Sequence, residues 1–330
     1  MVKRREELTL YQIGIDLGGT NISVGLVDDT MRILKKRKIP TQVPRSAKAI
    51  VQDAWALTQA LIKEEGLSFS DIRWVGLGAP GSSNVQTGVL EFADNLFLEN
   101  VPMVPLLEEA FHCPAFIEND ANAAVYGEYL TGAAKNCHFV VLLTLGTGVG
   151  SGILLDGKIY RGCNDAGGEC GHMVIRVGGR PCNCGRQGCF ETYASATGLK
   201  KTTQEAMKKH PESQLWQLVQ GDLEKVNGKT AFDGKRIHDA IATQVVEEYL
   251  ADLGTGIVNI VNIFQPDILC LGGGISKEGD AIIKPLEALL IAQRYSRNAR
   301  VQTVLRVAAL GNDAGIIGAA MIGKLYAWKG

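Results

Sequence analysis

The run Glu118-Asn119-Asp120-Ala121-Asn122 puts carboxylates where an apolar stretch at 114–117 gives way to an alanine-rich run at 121–132. The first stretch reads as a short buried strand. The second reads as a helix whose leading backbone N–H groups need acceptors. Two roles are open to Asp120: capping that helix, as Asn119 could also do, or acting as a general base held at a strand-to-helix junction. In either role the helix dipole is expected to keep it ionised. A second carboxylate, Asp16, closes an alternating stretch at 11–17 and is followed by Gly18-Gly19-Thr20. Backbone N–H groups free of bulky side chains can approach a phosphate closely, although a plain hairpin turn fits the same residues.

The same arrangement occurs again. An apolar strand at 140–145 runs into Gly146-Thr147-Gly148 within a glycine-rich turn at 146–152, and a second strand returns at 153–155. Leu17-Gly18-Gly19-Thr20 lines up with Leu145-Gly146-Thr147-Gly148, so two related lobes are expected, each giving one phosphate-facing hairpin to a shared cleft. A dinucleotide glycine loop must open a helix, and this one opens a strand. Gly228-Lys229-Thr230 resembles the tail of a Walker loop, but Leu223 stands where its first glycine belongs.

Around these turns the pattern gives a strand meander at 10–40, a helix at 46–65 and a strand at 71–78 entering the turn Ala79-Pro80-Gly81. A helix at 102–112 leads back to the strand before Asp120. Farther on come a long helical segment at 237–264 interrupted near Gly254-Thr255-Gly256, a strand at 267–271 and a final helix at 315–328. The turn Gly272-Gly273-Gly274 suits the approach of a nucleobase or ribose, or equally a tight strand-to-helix turn. Residues 205–235 read as polar surface helix and loop.

Cys182, Cys184 and Cys189 crowd into eight residues, with His172 ten residues upstream. Three thiols and an imidazole make a closed tetrahedral zinc set with no open position for substrate, so the metal's role is structural. Cys170 competes as a ligand. The loop so held, 169–191, carries Glu169 and Glu191, either acceptors for sugar hydroxyls or ordinary surface carboxylates. Cys113, Cys137, Cys163 and Cys270 are scattered and expected to be reduced.

At 330 residues, 46% hydrophobic and 21% charged, the chain suits two globular domains. Lys plus Arg (34) balance Asp plus Glu (35), which gives no basic field for nucleic acid or anionic lipid. No stretch is long and apolar enough for a bilayer, and no signal-type segment follows the charged start at 1–7, so a cytoplasmic protein acting on a small polar ligand is expected.

Asp16-Leu17-Gly18-Gly19-Thr20, Glu118-Asn119-Asp120-Ala121-Asn122, Leu145-Gly146-Thr147-Gly148, Glu169-Cys170-Gly171-His172 and the cysteine pattern ending in Cys189-Phe190-Glu191, in this order, resemble the ROK family of bacterial sugar kinases and repressors, nearest its glucokinases. The resemblance implies an α/β fold of two actin-like (ribonuclease-H-like) ATPase domains around a cleft. Their expected extents are 1–118 plus 315–330 for the smaller and 119–314 for the larger, which carries the zinc loop. It implies that Asp120 takes the proton from a sugar hydroxyl at carbon 6 as that oxygen attacks the γ-phosphate of ATP. Asp16, Gly18, Gly19 and Thr20 would face the phosphates and Mg2+, with Gly146, Thr147 and Gly148 as the second phosphate loop and Gly273 and Gly274 near the adenosine.

Gly81, Asn95, Asn119, Asp120, Glu169, His172 and Glu191 would line the sugar, with His172, Cys182, Cys184 and Cys189 on zinc. Glucose is the expected acceptor; N-acetylmannosamine, N-acetylglucosamine, fructose, mannose and allose are the alternatives within the family. Phe97 and Leu98 after Asn95-Leu96, and Cys170 beside Glu169, depart from the common pattern. A sugar-responsive regulator is the other family role; such proteins carry a winged helix-turn-helix ahead of the sugar domain, and Asp16 arrives too early here for one. A homodimer or homotetramer is expected by the same resemblance.

Overall fold

The structure is a computed structural model and describes residues 10–327, so the charged start at 1–7 and Trp328, assigned above to the final helix, lie outside it. The alternation at 11–40 forms β1 (Tyr11–Leu17), β2 (Asn21–Val27) and β3 (Ile33–Pro40) in an antiparallel meander. Ile13, Ile15, Leu17, Ile22 and Val24 enter the core. Helix α1 (Ala47–Glu64) is capped by the Ser46 side chain, which accepts the N–H of Ala49. It buries Ile50, Val51, Ala54, Thr58 and Leu61 at helical spacing.

Strand β4 (Ile72–Ala79) pairs parallel to β1. A small antiparallel sheet follows, β5 (Ser82–Asn84), β6 (Val89–Ala93) and β7 (Leu98–Val101), for which the sequence carried no clear alternation. Helix α2 (Met103–Phe111) leads to β8 (Ala115–Asn119), parallel to β4, and on to α3 (Asp120–Thr131). The main sheet is ordered β3-β2-β1-β4-β8.

The chain then repeats that path. Strands β9 (Phe139–Leu145), β10 (Val149–Leu155) and β11 (Lys158–Ile159) come first. Helices α4 (Glu191–Ala194), α5 (Ala196–Lys209), α6 (Leu215–Leu218), α7 (Thr230–Arg236) and α8 (Ala240–Phe264) follow. Strand β12 (Ile268–Gly272), helix α9 (Asp280–Gln293), strand β13 (Val304–Val307) and helix α10 (Asp313–Ala327) complete the described chain. The second five-stranded sheet is ordered β11-β10-β9-β12-β13, the topological copy of the first.

Two compact units result: residues 1–136 with 152–168 and 309–330, and residues 137–151 with 169–308. The boundary drawn from sequence at 118/119 separated α3 from the N-terminal strands. In the structure α3 packs with α10 in the first unit, so closely that a Cβ on Gly127 would lie 2.2 Å from the carbonyl of Ala314. Helix α10 lies equally close to the sheet, where a Cβ on Gly76 would meet the carbonyl of Ala319 at 1.8 Å.

Three local expectations change. Helix α8 is unbroken through Gly254 and Gly256, because those glycines make room rather than a break: a Cβ on Gly256 would strike the Phe190 ring at 2.3 Å. Residues 205–235 include a satellite core of Met207, Leu215, Val219 and Val226 with Ala242. The second glycine turn is shorter than 146–152, since β10 already starts at Val149. Among the described residues no helix is long and apolar enough to cross a membrane.

Candidate active site

In the first unit the junction of β8 and α3 assigns the cap to Asn119. Its Oδ1 accepts the N–H groups of Ala121 (2.9 Å) and Asn122 (3.1 Å), while its Nδ2 donates to the carbonyl of Gly81 at 3.1 Å. Asp120 is therefore the first residue of the helix rather than its cap, and its Oδ1 accepts the N–H of Ala121 at 2.8 Å. Gly78 of β4 lies beneath it: a Cβ there would be 3.6 Å from the Asp120 Cα. Gly78 is also the strand partner of Asp16, so both carboxylates stand at the same end of the sheet.

Asp16 is half-buried, and its carboxyl is pushed up to about 6, first by burial and then by the negative charge of Asp120, with Lys38 opposing. Burial likewise pushes the Asp120 carboxyl up, against the pull of the Ala121 N–H. The dipole at the start of α3, expected to favour the ionised acid, opposes that rise together with the Ala121 N–H. Two neighbouring carboxylates with raised affinity for protons are suited to neutralisation by a divalent cation.

The turn after β1 is fixed by backbone. The Gly18 N–H donates to Asn21 O at 2.9 Å, and Thr41 holds both flanks, its hydroxyl donating to Gly18 O (2.6 Å) and its N–H to Thr20 O (2.9 Å). Asn95 comes so near that a Cβ on Gly19 would lie 2.8 Å from its carbonyl oxygen. Gly81 has φ +85 and sits where a Cβ would overlap Phe92 O at 2.0 Å. Asp16, Gly18, Gly19, Thr20, Gly81, Asn95, Asn119 and Asp120 thus all belong to the first unit, around the ends of β1, β4 and β8.

In the second unit the turn after β9 is closed by the Gly146 N–H donating to Gly148 O at 3.0 Å. Ala196 N–H donates to Gly146 O (2.8 Å) and the Thr197 hydroxyl to Thr147 O (2.7 Å). Glu191 opens α4, and its Oε2 accepts the Val149 N–H at 2.9 Å while standing 2.2 Å from the Cβ that Gly148 lacks. One oxygen of this expected sugar ligand is therefore spent on holding the turn. Gly273, φ +85, abuts the end of β9, since a Cβ there would be 2.4 Å from Leu145 O; Gly274 follows it into a short 3-10 turn at Ile275–Glu278.

Glu169 is exposed at the head of the 3-10 turn Cys170–His172, whose Gly171 packs on β10 with a missing Cβ only 2.2 Å from Val149 O. His172, Cys182, Cys184 and Cys189 converge so that one ligand atom from each lies within 4.8 Å of all the others. The Cys182 Sγ to His172 Nδ1 and Cys184 Sγ to Cys189 Sγ separations are both 3.6 Å. A tetrahedron with arms of ~2.3 Å has edges of ~3.8 Å, so these side chains fit a zinc ion. The Cys189 thiol is pushed up to about 12, first by burial and then by Cys184 and Cys182, whereas the exposed Cys184 thiol is lowered, first by the Arg186 backbone N–H. Positive φ at Gly185 and Gly188 turns the chain around the cluster. Cys170 stands outside the set, hydrogen-bonded to Ser151.

Residues without a motif also shape the site. Thr41 and Thr197 fix the two turns, and Arg161 and Tyr326 reach Glu118 beside Asp120. Their partners are far off in sequence, and spacing carries no trace of them.

Duplicated sheets, each sending a glycine turn from its first strand, define a two-unit α/β fold. The ROK family model matches residues 12–325, and the chain belongs to that family. It is 38% identical to a glucokinase of Halalkalibacterium halodurans, over 95% of this chain and 95% of that protein. A glucokinase of Thermotoga maritima is 37% identical, with 96% of this chain and 98% of that protein covered. The crystal structure of a ROK family glucokinase from Streptomyces griseus in complex with glucose and AMPPNP is similar at a TM-score of 0.82 and 32% identity, covering 96% and 99% of the two chains.

Proposed function

We propose that the protein transfers the γ-phosphoryl group of ATP to the 6-hydroxyl of glucose. The observation that carries this reading is Asp120, placed by the Asn119 cap at the first turn of α3 beside Asp16 and the first glycine turn. The glucokinase relatives, and the glucose and AMPPNP named for the similar structure, support the choice of substrates.

The chemistry follows from these residues. Asp120 accepts the proton of the sugar hydroxyl as that oxygen bonds to the γ-phosphorus. The bond from the γ-phosphorus to the β,γ-bridging oxygen breaks, and ADP leaves. A carboxyl with a raised proton affinity is a better acceptor than an ordinary aspartate, which suits a proton that moves late in the transfer. Gly19 and Thr20, and in the second unit Thr147 and Gly148, offer backbone N–H groups to phosphate oxygens, while Gly18 and Gly146 face the phosphates with their own N–H groups closing the turns. Asp16 is the residue for Mg2+, which supplies charge neutralisation at the phosphates. Gly273 and Gly274 receive the adenosine.

Gly81, Asn95, Asn119, Glu169 and His172 bind sugar, as does Glu191 through the carboxylate oxygen not given to Val149. Zinc on His172, Cys182, Cys184 and Cys189 keeps the 169–191 loop in shape and takes no part in bond making.

A panel of hexoses and N-acetylhexosamines with MgATP tests the reading, with ADP release as the measurement. Glucose should give the highest kcat/KM, and Asp120→Asn should lose about 10³-fold in kcat while still binding glucose. An Asp120→Asn protein as active as the wild type would refute the base. ATP binding without turnover of any sugar would leave a sugar-responsive regulator.

A further inference from the structure

Glu118 lies two residues before Asp120 and is only 2% exposed, yet the chemistry above gives it nothing to do. Its two carboxylate oxygens face different partners. Oε1 accepts the Asn119 N–H at 2.9 Å and the Asn122 Nδ2 at 3.0 Å. Oε2 accepts Arg161 Nε at 2.8 Å, Arg161 Nη2 at 2.7 Å and the Tyr326 hydroxyl at 2.6 Å. Arg161 also donates to the Tyr326 hydroxyl, and its guanidinium stands 5.0 Å from the centre of the Tyr326 ring. Tyr326 in turn leans on Phe116 of β8, ring centres 6.1 Å apart. All these groups belong to the first unit.

Stability alone is a weak reason for such an arrangement. Desolvating a carboxylate and a guanidinium costs several kcal/mol, and apolar side chains of similar volume often fill such sites as well or better. What apolar residues cannot supply is direction. The fork of Arg161 and the hydroxyl of Tyr326 fix one oxygen of Glu118, and the rigid carboxylate plane then fixes the other. That second oxygen holds Asn119, the cap of α3 and the donor to Gly81, and Asn122 on the helix that starts with Asp120.

We propose that Glu118, Arg161 and Tyr326 form a positioning clamp, which sets the strand-to-helix junction and so aims Asp120 at the sugar hydroxyl. The clamp rests on the reading of Asp120 as the base. None of its three members touches the reacting atoms; each acts through Asn119, Asn122 and the start of α3. Of the sugar residues only Asn119, with Gly81 through it, hangs on the clamp, while Asn95, Glu169, His172 and Glu191 keep their places, so the loss falls mainly on kcat with only a small rise in glucose KM.

Steady-state kinetics of the full chain with glucose and MgATP test this. Tyr326→Phe, which keeps the ring under Arg161 and removes only the hydroxyl, should lower kcat about fivefold to tenfold. Glu118→Gln should lower it about 100-fold, with glucose KM within about threefold of wild type in both. On the Glu118→Gln background, Tyr326→Phe should add no further loss, because its effect passes through the group already replaced. Arg161→Lys, which keeps charge and loses the fork, should behave as Tyr326→Phe does. If Arg161→Lys does not fold, the cycle of Glu118→Gln with Tyr326→Phe decides alone.

Unchanged kcat in Tyr326→Phe would overturn the clamp, as would losses that multiply in the double variant or that merely follow a lowered melting temperature. If Asp120→Asn is inactive while Tyr326→Phe and Glu118→Gln are normal, the clamp fails and the base stands. If Asp120→Asn is active, the base fails and the clamp with it.

Discussion

In the first unit the glycine turn after β1 stands beside two carboxylates, Asp16 and Asp120. In the second, the place of Asp16 at the end of β9 is taken by Thr144, and the carboxylate at the turn that follows, Glu191, comes from a different element. The two sheets have the same strand order, so the difference lies in side chains alone. The turns are also held differently. Each turn has a backbone closure and a threonine hydroxyl, Thr41 in the first and Thr197 in the second, and the second adds a carboxylate, Glu191, which follows directly on the cysteine-bearing loop. A duplicated scaffold thus gives one turn adjoining two buried carboxylates and one braced by a side chain next to the cysteine-bearing loop. Lesions in the two should have different signatures.

The largest effect is expected from the metal. Stripping zinc with a chelator, or Cys184→Ser, releases the loop that delivers Glu191 to Val149. Loss of activity of about 100-fold or more should follow, restored in the chelated wild type by added zinc. Metal content and turnover measured on the same samples check this, and a zinc-free protein at full activity would separate the second turn from the cluster.

A pair of glycine substitutions comes next. Gly19→Ala drives a Cβ against the carbonyl of Asn95 at 2.8 Å, and a backbone atom yields little. Gly148→Ala meets Glu191 Oε2 at 2.2 Å, a shorter distance to a more movable atom. Overpacking should cost about 1–3 kcal/mol in the first and mainly rearrange Glu191 in the second. Gly148→Ala added to Glu191→Ala should therefore do little more than Glu191→Ala alone. Gly19→Ala added to Asn95→Ala should keep its full effect, since the colliding atom belongs to the backbone. Melting temperatures and kcat/KM of the singles and doubles show which turn depends on a side chain.

The sequence carried the shared architecture because local patterns encode it. Alternation at 11–40, and apolar runs at 140–145 and 153–155 with glycines between, marked both hairpins, although the second return strand starts at Val149. Cys182, Cys184, Cys189 and His172 are close enough along the chain that spacing alone brought them together. The signal faded where the determining contact is distant. Gly254 and Gly256 looked like a helix break and are packing surfaces for Leu289 and Phe190. The polar stretch at 205–235 hid a small core of its own. Asp120 and Asn119 were legible together as a helix start, but that Asn119 rather than Asp120 is the cap needed the geometry. The raised proton affinity of both carboxylates needed their burial and, for Asp16, the nearness of Asp120.

The smallest effect is one of stability, and it singles out the first turn. In the folded protein without magnesium the Asp16 carboxyl titrates at about 6 against an ordinary 3.8. Across that window the folded state binds more protons than the unfolded chain, so this group's contribution to stability falls as pH rises from about 4 to about 6, and stays low above that. Asp16→Asn removes the burden. The variant should be inactive yet melt higher than wild type at pH 8, by about 1–2 kcal/mol, with the advantage fading toward pH 4. Magnesium should narrow the gap by stabilising the wild type alone. Thr144→Val, at the corresponding place in the second unit, should give no pH-dependent difference at all. Melts at both pH values, with and without magnesium, measure this. An Asp16→Asn protein with no advantage at pH 8 would mean that Asp120 and burial do not burden Asp16, and the contrast between the two turns would then be one of sequence without energetic consequence.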